Sequence, residues 1–233
     1  MVKIQTIEKL FFINLLEYSY LLAPFAYLLS KSKKNPVFIG LAVYGVIFFC
    51  LLHFYYSLVP PSLQREYQVV YSFLEYSSFS FFLWHFLDNK KIRQFIIVLS
   101  ILFVAFQIFQ YLLSSKKQKL DSVVIAIETI LIYIYIFLYL RKFFKENVTN
   151  NIYELPSFWI IVGMMVYLGF GFFFNILVNY IPQDQFDNYW HFTYIPEIIK
   201  NILFGMVVFG YPSPSIENKK KNIRPDIPNL DLI

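Results

Sequence analysis

The chain has 233 residues, 58% hydrophobic and 21% aromatic but only 15% charged, where a soluble domain carries about a quarter charged residues. The single cysteine, Cys50, excludes an internal disulfide framework and is a packing residue by default. A net charge of +5 would suggest nucleic acid in a soluble protein, but here Lys and Arg cluster between apolar runs, the pattern of membrane orientation, and no nucleic-acid partner is expected.

Seven segments approach or exceed the roughly 18 residues that cross a bilayer: 10–29, 36–58, 67–87, 92–113, 121–140, 157–180 and 192–211. The first contains LLEYSYLL with Glu17, and Pro24 should kink it two turns further on. It has no Ala-x-Ala exit, so it is expected to be retained rather than cleaved as a signal. The second carries His53 near its far end. The third contains FLEYSSFS with Glu75 and ends on Trp84 and His85. Gln107 and Gln110 close the fourth.

The fifth contains AIETILIY with Glu128, followed by Tyr133, Tyr135 and Tyr139, which read as packing. The sixth has Gly163, Gly169 and Gly171, which permit close helix approach, and ends on Asn175 and Asn179. The seventh is the most polar, with Glu197, Lys200 and Asn201 in its first half. Such runs are too long and unalternating for barrel strands, so the expected fold is all-α, a polytopic seven-transmembrane helical bundle. Residues 1–211 form one membrane domain. Residues 212–233, rich in Pro, Asn and Lys, read as a flexible basic cytoplasmic tail.

The connections differ in charge. One side holds Lys31, Lys33, Lys34, Lys90, Lys91, Arg93, Arg141, Lys142, Lys145, Lys219, Lys220, Lys221 and Arg224, the other Lys3, Lys9, Arg65, Lys116, Lys117 and Lys119. The positive-inside rule puts the N-terminus outside and the tail in the cytoplasm of a bacterial inner membrane. The loop QDQFDNYW has no Lys or Arg, which suits an outer face. Asn147 in NVT matches a glycosylation acceptor, but its cytoplasmic placement argues against use.

In that orientation Glu17, Glu75, Glu128 and Glu197 fall in the outer halves of helices running the same way. A lone carboxylate in lipid costs at least about 2.5 kcal/mol, so these side chains should face the bundle interior. His53, Gln107 and Asn175 reach the same depth from the oppositely directed helices. Glu17, Glu75, Glu128, His53, Gln107 and Asn175 together make a candidate polar pocket. Glu197 and Lys200, three apart, share a helix face as a structural ion pair. The plainer alternative is that these groups only brace the bundle, since such bonds average under about 1 kcal/mol. The recurring glutamates and the paired EYS also suggest a helix-pair repeat. Three dispersed histidines make no metal site. There is no phosphate loop, kinase motif, zinc-protease helix or nucleophile elbow, so no cofactor is expected.

The runs KLDSVVIAIETILIYIYIFLYL, IYELPSFWIIVGMMVYLGFGFFFNI and YWHFTYIPEIIKNILFGM resemble small seven-helix membrane proteins of Bacteroidetes. These are similar to the membrane sensor region preceding some histidine kinases. The likeness extends to FLEYSSFSFFLWHFLDNKKIR. It implies N-out, C-in topology and a sensory role, with no established catalytic residues. The sequence ends soon after its seventh segment, so no kinase core is expected in it. The leading expectation is a non-enzymatic sensor or signalling accessory, with the bilayer, a small polar ligand or protons and a cytoplasmic signalling protein as partners. A small-solute or proton-coupled transporter is the alternative, and an intramembrane enzyme ranks third.

Overall fold

The computed structural model describes residues 2–30, 35–113, 122–145, 152–178 and 193–211. The 212–233 tail, the Lys31–Lys34 and Lys116–Lys119 clusters, Asn179, the NVT site and the QDQFDNYW loop lie outside the described residues. Every regular element among the described residues is helical: α1 (Val2–Ser19), α2 (Leu22–Leu29), α3 (Pro36–Leu58), α4 (Gln64–Phe86), α5 (Lys90–Leu113), α6 (Ser122–Lys145), α7 (Pro156–Val178) and α8 (Tyr194–Gly210), with short 3-10 turns at Pro61–Leu63 and Ile152–Glu154.

Local chemistry sets the boundaries. Asn35 caps α3 by accepting from Val37 N at 3.0 Å, and Pro36 occupies its first turn, where a missing N–H costs nothing. Pro60 and Pro61 follow its end. Asn89 accepts from Lys91 N at 2.9 Å at the start of α5. Arg93, one turn in, reaches back to the free carbonyls of Trp84 and Leu87 at the end of α4. Pro156 opens α7 as Pro36 opens α3.

The first apolar segment is two helices. Pro24 has no N–H for the Tyr20 carbonyl, and its ring crowds that group. Tyr20 N and Leu21 N instead bond three residues back, to Glu17 O and Tyr18 O. The break therefore sits one turn before Pro24, between α1 and α2. Gly45 of α3 packs into it: a Cβ there would lie 2.6 Å from Pro24 Cδ and closer still to the Tyr20 carbonyl oxygen.

The helices close into a ring. α3 packs against α1, α2 and α4; α4 against α5 and α6; α6 against α5 and α7; and α8 fills the gap between α7, α1, α2 and α3. Gly163 gives α8 its close approach to α7, since a Cβ there would meet Phe204 at 3.3 Å and the Lys200 backbone at 3.5 Å. Apolar side chains such as Phe25, Leu28, Ile101, Leu112, Phe137 and Phe173 remain exposed outside the ring.

Among the described residues five stretches are long and apolar enough to cross a membrane: Leu10–Leu29, Pro36–Leu58, Lys90–Leu113, Val123–Lys145 and Pro156–Phe174. The other two segments expected to span are α4 and α8. α4 alternates serines and tyrosines around Glu75, and α8 is 17 residues long and carries Glu197, Lys200 and Asn201. Length and composition thus pick out two fewer than the seven segments expected, because α4 is too polar and α8, at 17 residues, is too short.

Candidate functional site, a buried lysine among carboxylates and tyrosines

Lys200 is fully buried, at 0% exposure. The i,i+3 spacing on α8 brings its Nζ to 3.8 Å from Glu197 Oε1, and Glu75 Oε1 of α4 lies 3.9 Å away on another side. Lys200 Nζ donates to Tyr44 Oη of α3 at 2.7 Å. Aromatic rings close the remaining directions: Tyr167 of α7 at 3.9 Å from Nζ to centroid, Tyr44 at 5.3 Å, Tyr20 at 5.4 Å and Phe79 of α4 at 5.6 Å. The negative faces of such rings attract an ammonium, so the cation is compensated by rings as well as by carboxylates.

The carboxylates are held in turn by hydroxyls. Tyr71 Oη donates to Glu197 Oε1 at 2.7 Å, and Tyr20 Oη donates to the same oxygen. Tyr167 Oη donates to Glu75 Oε2 at 3.1 Å. Glu128 of α6 accepts from Ser72 Oγ at 2.5 Å. Ser72 and Glu75 are three apart on α4 and share a face, so Glu128 is held one turn from Glu75. One oxygen on each of Glu75 and Glu128 is buried without a hydrogen-bond partner among the described residues.

A second polar layer follows along α4 and α6. Tyr76 Oη meets Ser100 Oγ of α5 at 3.1 Å and Tyr135 Oη of α6 at 2.9 Å. Further along, Tyr139 Oη meets Ser157 Oγ of α7 at 2.7 Å. The tyrosines of α6, expected only to pack, also carry hydrogen bonds between helices.

The remaining expected pocket residues take other places. Glu17 pairs with His53 Nδ1 at 2.7 Å between α1 and α3, where the His53 side chain is 59% exposed. No described hydrogen bond or ion pair joins that couple to the Lys200 group. Gln107 Nε2 donates to Val69 O at 3.0 Å and ties α5 to the backbone of α4. Asn175 lies in α7, but its side chain is outside the described residues. The two EYS motifs do not occupy equivalent environments. Ser19 Oγ donates to Leu16 O at 2.6 Å and accepts from Asn201 Nδ2 at 2.8 Å, tying α8 to α1, while Ser77 plays no such part beside Glu75 and Tyr76.

Sequence reasoning missed Tyr20, Tyr44, Tyr71, Ser72, Phe79 and Tyr167. Tyr20, Tyr71 and Ser72 gave a weak signal, as hydroxyl-bearing residues within a turn of Glu17 or Glu75, and Tyr44, Phe79 and Tyr167 gave none. No group of three or more His, Cys, Asp or Glu suited to a metal ion occurs among the described residues. The arrangement can hold, exchange or redistribute charge in a buried site. Among the described residues the buried amine, Lys200, is engaged by Tyr44, Glu75 and Glu197. No family model matches the chain, and neither does any curated protein or solved structure.

Proposed function

We propose that the chain is a seven-pass protein of a bacterial inner membrane, N-terminus outside, and a non-enzymatic sensor or signalling accessory whose sensing element is the Lys200 cluster. The observation that carries this reading is the number of helices one ammonium joins: Lys200 is bonded, paired or stacked with side chains from the α1–α2 break, α3, α4, α7 and α8. A buried charge pair that loses one partner leaves an uncompensated charge worth several kcal/mol. A change of charge on Glu75 or Glu197 therefore favours a different packing of those helices, which is what a relay to a cytoplasmic partner needs. The resemblance to kinase-linked sensor regions agrees with that role.

The test is the accessibility of cysteines placed at the ends of α4 and α8, measured in nanodiscs as pH is varied. The wild-type background is expected to show a pH-dependent change that Glu75→Gln abolishes at normal membrane level. A change that survives both Glu75→Gln and Glu197→Gln would remove the cluster from the mechanism.

One observation favours the transporter reading. Polar groups continue along α6 from Glu128 to Tyr135 and Tyr139, each with a hydroxyl partner on a neighbouring helix, and acidic groups followed by such a ladder suit proton movement. Proton flux into vesicles that is lost in Glu128→Gln would select it over the sensor.

A further inference from the structure

We propose that Glu128 is a proton-binding site: its side chain is held as the neutral acid at neutral pH, with the proton on the oxygen that no other described group partners. The inference rests on the reading of the bundle as membrane-embedded and names the ligand of that same cluster.

The argument is a charge count. Two buried carboxylates, Glu75 and Glu197, flank the buried ammonium of Lys200, and a third, Glu128, lies beside Glu75. Glu197 has the strongest claim on the ammonium, with two tyrosine hydroxyls besides. Glu75 comes next, with Lys200 at 3.9 Å and the Tyr167 hydroxyl. Glu128 is 3% exposed and has neither: Ser72 donates to Oε2, and Oε1 is buried without a hydrogen-bond partner among the described residues. The helices packed against α6 bring no cation to it. On α4 its titratable neighbour is Glu75, from α3 the Tyr44 hydroxyl interacts with it, on α7 Tyr167 is bonded to Glu75, and among the described residues the buried polar side chain of α5 is the Gln107 amide.

A second negative charge beside Glu75 in that setting must be neutralised. A metal cation would need about six oxygens, and no group of three or more His, Cys, Asp or Glu suited to one occurs among the described residues. A proton needs one oxygen, and Oε1 is that oxygen. Deprotonation would set two carboxylates against each other across the α4–α6 contact, so the proton is also what holds those helices together.

The test is infrared difference spectroscopy of the full chain in nanodiscs. A protonated-carboxyl C=O stretching band is expected at neutral pH, lost in Glu128→Gln and kept in Glu17→Gln. Glu128→Gln replaces a neutral acid by a neutral amide of the same shape, so its unfolding equilibrium should stay within about tenfold of wild type. A missing band, a band that Glu128→Gln leaves untouched, a Glu128→Gln protein that fails to fold, or a band that disappears when sodium replaces choline would each overturn the assignment. The band is read without any helix movement. Its presence with no pH-dependent accessibility change would therefore reject the sensor and keep the proton site, and the reverse result would do the opposite.

Discussion

At Lys200 the balance between one ammonium and its carboxylates decides what a substitution does. Lys200→Met keeps the length of the side chain and removes the charge, leaving Glu75 and Glu197 facing each other without a cation. Removing one partner of a buried ion pair costs about 3–5 kcal/mol, and unfolding in detergent should register a loss of that size. Adding Glu75→Gln and Glu197→Gln to Lys200→Met should recover most of it, since a neutral, hydrogen-bonded cluster of the same shape is tolerated where a half-neutralised one is not. No recovery would mean that Lys200 contributes through its shape rather than its charge. The Glu197–Lys200 pair could be read from a spacing of three on one helix. The box around it could not, because its members are separated by long stretches of chain: Tyr44 is 156 residues from Lys200, Tyr20 is 177 from Glu197, and Tyr167 is 92 from Glu75. Hydropathy marks a tyrosine as half-apolar and says nothing about which carboxylate its hydroxyl meets.

Among the elements, apolar length located all seven segments but not the break in the first or the short reach of the last. The break follows from Pro24 acting on the carbonyl four residues earlier, and from the α3 backbone being able to enter the gap at Gly45. Gly45→Ala should cost about 1–3 kcal/mol, the usual penalty for overpacking, because the groups it meets are a proline ring and a backbone carbonyl that cannot swing aside. Gly171→Ala on α7 is the control, since a Cβ there meets nothing within 4 Å; it should be neutral or stabilise by up to about 1 kcal/mol through helix propensity. Equal effects would show that the contact of α3 with the α1–α2 break is looser than its geometry. The α4–α5 turn offers a pH reading away from the apolar interior. The Lys142 ammonium, bonded to Asp88, holds that carboxyl below the usual aspartate range. A depressed folded value means the contribution is present above the unfolded pKa and is lost as pH falls through the folded one. Because Asp88 is largely exposed the effect is small, and it should appear as a shallow acid-side decline in stability that Asp88→Asn removes.

For the whole molecule, α4 and α8 take their places in the ring with apolar residues such as Phe73, Phe81, Met206 and Phe209 exposed and the buried Glu75, Glu197 and Lys200 turned inward. The long apolar runs made the helices legible, and Glu17, Glu75, Glu128 and Glu197 are all buried, as expected of carboxylates in such runs. Which glutamates meet was not legible, because that depends on the rotation of each helix about its axis, and α1 turns Glu17 toward His53 rather than toward Lys200. The same ring makes α4 the helix on which the seven-pass reading depends. Ser62 and Lys90 are both exposed and flank α4, at connections that the charge asymmetry assigns to opposite faces. In a Cys50→Ala background, Ser62→Cys should react with a membrane-impermeant maleimide in intact spheroplasts, and Lys90→Cys only after the membrane is opened. The reverse pattern would invert the topology and put the basic clusters outside, against the positive-inside rule. Reaction of both from the same side would mean that α4 does not cross. Glu75 and Glu128 would then lie in a bundle with an aqueous route to them, and the charge count that assigns a proton to Glu128 would lose its apolar setting. The sidedness of these two positions thus tests the topology and the environment of the buried cluster together.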